Sequence, residues 1–223
     1  MEVVGRILKS SKDTEKVLVD TNFNEDQEKL KYIVVIGTST GGPKALKKVI
    51  SSIPPNVEAA FLVVQHMPPG FTKSLAERLN YVSKVKVKEA EDNEIIKNAH
   101  VYIAPGDFHL QVNKSSNNVL RIKLSKEPPV NGHRPSVDVL MRSVSETKLQ
   151  NIVGVVMTGM GRDGSEGVKI LKDVNKAYII AQDEKSSIVF GMPREAILKG
   201  VVDVVASLNE IANEIMKIVG VHK

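Results

Sequence analysis

The chain has 223 residues, enough for one substantial α/β domain, and its 42% hydrophobic and 26% charged residues are ordinary for a soluble globular fold. It contains no cysteine, which excludes disulfides, thiolate nucleophiles and cysteine-based metal sites. The net charge of +5 comes from scattered Lys and Arg with no Trp and few other aromatics among them, so acidic protein partners fit better than nucleic acid. No apolar run reaches the length of a membrane span and the N-terminus lacks a signal-peptide core, so the expectation is a soluble intracellular protein that is not membrane-inserted.

Residues 1–30 hold brief apolar spots in a polar background and read as a linker or loosely docked N-terminal arm, with the main domain over 31–223. Tyr32 to Ile36 is a run of β-formers with no polar face, the pattern of a strand buried on both sides. It ends in Gly37-Thr38-Ser39-Thr40-Gly41-Gly42-Pro43, and Lys44 to Ile53 then shows helical spacing. A second buried strand, Ala60 to Gln65, ends at His66-Met67-Pro68-Pro69-Gly70 before a helix from Phe71 to Leu79. Short strands follow over 85–90 and 100–104, and 108–112 with 119–124 forms a β-hairpin about a polar turn, expected at one end of the sheet. A Pro-containing loop over 126–134 precedes a helix at 136–148. The strand Ile152 to Met157 then opens into the glycine-dense Thr158-Gly159-Met160-Gly161-Arg162-Asp163-Gly164, with a helix from Val168 to Val174. A strand at 178–183, a loop to Pro193, a short helix to Lys199, a strand at 201–206 and a helix at 208–219 complete the chain. Strands alternating with helices predict an α/β fold with a mainly parallel sheet covered on both faces.

Ser39, His66 and Asp163 each follow a buried strand, and in a parallel sheet such ends share the edge where ligands collect. Gly37-Thr38-Ser39-Thr40-Gly41 is a literal G-x-S-x-G, a strand-to-helix turn that exposes a serine above a helix N-terminus. Serine needs a base to become a nucleophile; a histidine supplies one, and an aspartate on its other nitrogen orients it. His66 is the best placed of the five histidines, with His133 as its rival. Other readings stand beside this one. The Gly37–Gly42 loop would also suit a phosphate- or nucleotide-binding protein, although it lacks a P-loop ending and a dinucleotide fingerprint. Ser39 or Thr40 would serve as a helix cap, and so would Asp163. A pseudo-enzyme or a hydrolase of another ester also remains open.

Six motifs, in order, resemble those of the CheB family, the protein-glutamate methylesterases of bacterial chemotaxis. They are Gly37-Thr38-Ser39-Thr40-Gly41-Gly42, Val64-Gln65-His66-Met67-Pro68, Tyr102-Ile103-Ala104-Pro105-Gly106-Asp107, His133-Arg134-Pro135-Ser136-Val137-Asp138, Thr158-Gly159-Met160-Gly161-Arg162-Asp163-Gly164 and Phe190-Gly191-Met192-Pro193. The resemblance runs from about Lys31 to the C-terminus. It implies a doubly wound sheet with an appended hairpin, Ser39 as nucleophile, His66 as base and Asp163 as its orienting carboxylate. It gives supporting, oxyanion-stabilising roles to Thr40 and Met160. It implies hydrolysis of glutamyl γ-methyl esters on cytoplasmic helices of methyl-accepting chemotaxis receptors, with receptor glutamine deamidation in some members. It needs no cofactor or metal, and the expectation is a cytoplasmic monomer recruited to receptor clusters. Family members typically carry an N-terminal receiver domain; residues 1–30 are too short for one, so the sequence reads as the catalytic domain without it.

Overall fold

A computed structural model describes residues 30–220; the expected arm over 1–30 lies, apart from Leu30, outside the described residues. Seven strands make one sheet: β1 (Tyr32–Thr38), β2 (Ala59–Gln65), β3 (Lys86–Glu89), β4 (His100–Ile103), β7 (Ile152–Val156), β8 (Tyr178–Gln182) and β9 (Val204–Ala206). Their order is β3-β4-β2-β1-β7-β8-β9 and every pairing is parallel, with β1 at the centre. Parallel neighbours need crossovers, and helices supply them. The helices are α1 (Gly42–Ile50), α2 (Phe71–Val82), α3 (Val137–Glu146), α4 (Ser165–Asn175), α5 (Gly191–Leu198) and α6 (Ile211–Val219).

The two faces of the sheet carry separate cores, and the strands feed both by alternation. Val34, Ile36, Phe61 and Val63 pack with Leu46, Val49, Leu75 and Ile215 of α1, α2 and α6. Ile33, Val35, Leu62 and Val64 pack on the other side with Leu140, Val144, Leu171 and Ala196 of α3, α4 and α5. Each large aliphatic side chain buried this way contributes about 1.5–3 kcal/mol, which is why β1 and β2 carry no polar face. The doubly wound α/β class is therefore the observed one. The hairpin, β5 (His109–Lys114) with β6 (Leu120–Ser125), is antiparallel and joins the second core through Leu110, Val112 and Ile122. It leans on α3, where Ser143 Oγ accepts the Val112 N–H at 3.0 Å.

Some element boundaries differ from expectation. The helix α4 begins three residues before the expected Val168, for a tertiary reason given below. The last helix starts at Ile211 rather than 208, because Ser207 and Glu210 close a turn on each other through Ser207 Oγ and Glu210 Oε2 at 2.7 Å. The last strand is trimmed to Val204–Ala206, with Val201 and Val202 packed against the second core instead of extending it. The chain after β1 enters α1 on one face, whereas the chain after β7 enters α4 on the other. The two connections thus diverge between adjacent strands, leaving a crevice at their carboxyl ends.

Candidate active site

Register places the first two site residues side by side. Thr38 pairs with Gln65 and Gly37 with Val156, so Ser39 stands next to His66 on one side and Thr158 on the other. Adjacent strands lie about 4.8 Å apart, within side-chain reach. The Ser39 N–H donates to the Thr158 carbonyl at 3.0 Å. One buried amide ties the two turns: Gln65 Nε2 donates to the carbonyls of Ser39 at 3.0 Å and His66 at 3.1 Å, while Gln65 Oε1 accepts Thr38 Oγ1 at 2.7 Å. Thr158 Oγ1 donates to the Thr40 carbonyl at 2.8 Å and accepts N–H groups from Ile188 and Val189. The helix above begins at an N-cap Gly41 with φ +84°, the left-handed region that glycine adopts without strain. No side chain caps α1, so the reading of Ser39 or Thr40 as a plain cap is not what the structure shows.

His66 and Asp163 meet beneath this turn. His66 Nε2 lies 2.8 Å from Asp163 Oδ2, with side-chain exposures of 8% and 1%. Asp163 does not cap the helix that follows it, whose N-cap is Gly164 with no side-chain bond. It joins the N-cap Ser136 in capping α3 instead: its carboxylate accepts Ser136 Oγ at 2.8 Å and the N–H groups of Val137 at 2.7 Å and Asp138 at 3.1 Å. α3 returns the favour through buried Asp138, whose Oδ1 accepts the N–H groups of Gly164 at 2.9 Å and Gly167 at 2.7 Å. That cross-cap is why α4 starts at Ser165.

The two carboxylates divide their protonation by environment. Burial alone would push Asp163 up, but His66 and the α3 N–H groups together outweigh it and hold the carboxyl below its usual range. Burial, with the Asp163 charge beside it, pushes Asp138 up to about 6. Asp163 is thus the member of the pair that keeps its charge, and a carboxylate on Nε2 selects the tautomer in which Nδ1 carries the lone pair. His66 Nδ1 is buried with no hydrogen-bond partner. The Ser39 hydroxyl also has none among the described residues.

Thr40 and Met160, expected in support, are exposed at the mouth of the site, Met160 by 72%. Their backbone N–H groups have no acceptor among the described residues. Gly159, between Thr158 and Met160, admits no larger residue: a Cβ there would lie 2.2 Å from Met192 Sδ and 2.8 Å from Ser39 Cβ. The rival histidine, His133, does not contact Asp163 through a hydrogen bond but stacks on His66, ring centroids 3.9 Å apart and planes 9° apart. Burial is the main cause that lowers the pKa of His133, followed by the neighbouring His66. His109 is structural, accepting the Ser136 N–H on Nδ1 at 3.2 Å and facing the Pro128 carbonyl with Nε2. His100 opens β4 with Nδ1 on the Asn98 carbonyl, and His222 lies outside the described residues. Arg134 is paired with Asp107 rather than solvated.

A cleft of about 230 Å³ opens between His66–Pro68 and residues 132–135, room for one side chain rather than a large ligand. Two larger grooves, about 750 Å³ beside the hairpin and 720 Å³ between α1 and α2, contain none of the three chemistry-bearing residues. Among the described residues no group of three His, Cys, Asp or Glu is arranged to hold a metal. No helix among them is long and apolar enough to cross a membrane. Gln65, Ser136 and Asp138 were not singled out for the site from sequence. All three stand inside the quoted motifs, and Gln65, a polar residue closing an apolar strand, carried a further signal.

A doubly wound α/β fold with a serine turn, a buried histidine–carboxylate pair and free N–H groups at one switch point defines the class of serine-hydrolase-like α/β proteins. Comparison with known proteins narrows the class: residues 34–215 match the CheB methylesterase family, and the chain belongs to that family. It is 50% identical over 194 residues to a protein-glutamate methylesterase/protein-glutamine glutaminase of Paraburkholderia xenovorans, covering 87% of this chain and 53% of that one. A protein of the same name from Halalkalibacterium halodurans is 52% identical over 187 residues, covering 84% and 54%. The crystal structure of the Thermotoga maritima CheB methylesterase catalytic domain superposes with a TM-score of 0.81 at 44% identity, covering 83% of this chain and 97% of that chain. The chain thus spans about half the length of these two curated relatives, and its match in the solved structure is to a catalytic domain.

Proposed function

We propose that this chain hydrolyses glutamyl γ-methyl esters on the cytoplasmic helices of chemotaxis receptors, using Ser39, His66 and Asp163. The observation that carries the reading is the buried His66–Asp163 bond of 2.8 Å, which leaves the other imidazole nitrogen unpartnered beside the serine turn. In the proposed mechanism His66 Nδ1 takes the Ser39 proton as Oγ attacks the ester carbonyl. Asp163 stabilises the imidazolium that forms. The N–H groups of Thr40 and Met160 receive the oxyanion. The imidazolium then protonates the leaving methoxide, releasing methanol and leaving a glutamyl ester on Ser39. Water, deprotonated by the same nitrogen, frees the glutamate and restores the hydroxyl. Both curated relatives named above are also called glutaminases, and the same acyl-enzyme reached from a glutamine amide would release ammonia. We assign the domain to residues 31–223, acting as a cytoplasmic monomer recruited to receptor clusters.

The test is methanol release from methylated receptor membranes by the wild type and by Ser39→Ala. Loss of the nucleophile is expected to lower the rate by several orders of magnitude. Equal release by both proteins refutes the triad. Absence of release from either turns attention to nucleotide binding at Gly37–Gly42.

A further inference from the structure

Among the described residues the His66 ring makes one hydrogen bond, Nε2 to Asp163 Oδ2, and none at Nδ1. In an imidazole, the extension of the Cβ–Cγ bond passes between Nε2 and Cε1, so Nε2 lies closer to that axis than Nδ1 does. Rotation about that bond therefore moves Nδ1 farther than Nε2, and a partial turn that the Nε2 bond tolerates re-aims Nδ1. The terminal torsion of histidine is itself broad, so the Asp163 bond alone leaves the direction of Nδ1 loosely set. The proposed mechanism needs that direction fixed.

The stacked ring of His133 supplies the missing constraint. At 3.9 Å and 9° it lies flat against His66, and turning the His66 ring would drive an edge into it. The ring of His133 makes no hydrogen bond of its own among the described residues, so its contribution is contact. Its backbone is anchored: His133 and Val130 exchange N–H···O bonds of 2.9 and 3.1 Å. Arg134 next to it bonds the carbonyls of Lys126 and Glu127 at 3.0 Å and pairs with Asp107. Two residues further on, Ser136 bonds Asp163. The segment that presents the stacking ring is therefore bolted to the carboxylate that receives the other end of His66.

We propose that His133 is a positioning residue, a flat wall that fixes the ring plane of His66 so that Nδ1 faces Ser39. The proposal rests on the esterase reading above and adds a residue to it. Burial, and then the neighbouring His66, lower the proton affinity of His133, which disfavours a second charge on the wall when His66 becomes imidazolium.

The experiment compares wild type, His133→Ala and His133→Phe, with Ser39→Ala as control. On methylated receptor membranes, His133→Ala is expected to lower kcat about 10- to 100-fold with KM within about twofold, the scale of a misplaced catalytic group. His133→Phe, which restores a flat ring without nitrogens, is expected to recover most of kcat. Full activity in His133→Ala overturns the proposal. So does a Phe variant as slow as the Ala variant, because that assigns the effect to the His133 nitrogens. A second readout is independent of turnover: ¹⁵N spectra of the His66 ring are expected to show one ordered Nε2–H tautomer in wild type and the Phe variant, and exchange-broadened signals in the Ala variant. Unchanged His66 signals in His133→Ala overturn the proposal whatever the kinetics. If Ser39→Ala is as active as wild type while the ring signals behave as expected, the esterase reading fails and the stack stands.

Discussion

Asp163→Asn separates what the carboxylate does for the chemistry from what it does for the fold. Oδ2 faces two donors, His66 Nε2 at 2.8 Å and the Val137 N–H at 2.7 Å. Oδ1 faces Ser136 Oγ at 2.8 Å and the Asp138 N–H at 3.1 Å. An amide offers only one oxygen. With its NH₂ at the Oδ2 position, the Val137 N–H is orphaned and His66 must accept on Nε2. Nδ1 then carries the proton and cannot receive one from Ser39. With its NH₂ at the Oδ1 position, His66 keeps its tautomer, but the Asp138 N–H is orphaned and the imidazolium loses its counter-charge. Either way one buried N–H goes unpaired, a cost of about 1–3 kcal/mol. For a domain of this size that corresponds to a melting temperature lower by roughly 3–10 °C. The expected drop in kcat is about 10³–10⁴-fold, the scale known for this exchange in serine hydrolases. Methanol release and a thermal melt on the same preparation check both numbers. Near-wild-type kcat in a protein that melts lower would leave Asp163 as a cap alone and refute its part in the chemistry.

Other outcomes follow from neighbouring residues. Asp138 holds its proton up to about 6 in the fold, against an ordinary 3.8, so its contribution to stability is complete below about 4 and is lost as pH rises through 6. Asp138→Asn, which keeps an oxygen for Gly164 and Gly167, is therefore expected to flatten the stability profile between pH 4 and 6. At pH 7.5 it should match or exceed wild type, by about 3 kcal/mol at most, in denaturant titrations; a loss of stability there refutes the sign. Asp163, held low, contributes stability above its unfolded value that vanishes as pH falls through its folded one, so acid unfolding of Asp163→Asn should be less steep than that of wild type. Gln65→Leu strips the donor from the Ser39 and His66 carbonyls and is expected to cost about 2–4 kcal/mol by chemical denaturation and about tenfold or more in kcat. Gly159→Ala should abolish most turnover, because its new methyl meets Ser39 Cβ; crystallography of the variant would show the serine displaced, and an unmoved Ser39 would contradict the steric account.

The strands were legible because β1, β2 and β7 are apolar but for the closing Thr38 and Gln65 and run within three residues into glycine or proline, so period and punctuation agree. Alternation with helices then set the sheet, and the shared carboxyl edge put Ser39, His66 and Asp163 at one place without any distance being known. What the sequence could not carry were interactions between parts remote in the chain. Asp163, 25 residues or more downstream, reinforces the local Ser136 cap of α3, and the α4 start comes from Asp138 in the opposite sense. Neither leaves a local signature, so α4 was expected too late and Asp163 had to be weighed against the wrong helix. His133 was legible as a histidine near the site but not as a stacking partner, because its placement depends on how the 126–136 loop is anchored.

The exchange of capping carboxylates bears on how this scaffold would decay. Ser39 gives its hydroxyl to no other group among the described residues, so a lineage released from selection for turnover could replace it at little structural cost. Asp163 is in the reverse position, since three groups of α3 hang on it besides the histidine. Catalytically dead descendants should therefore be recognised by a vanished serine beneath an intact aspartate, fossils that keep the orienting acid because a helix still stands on it.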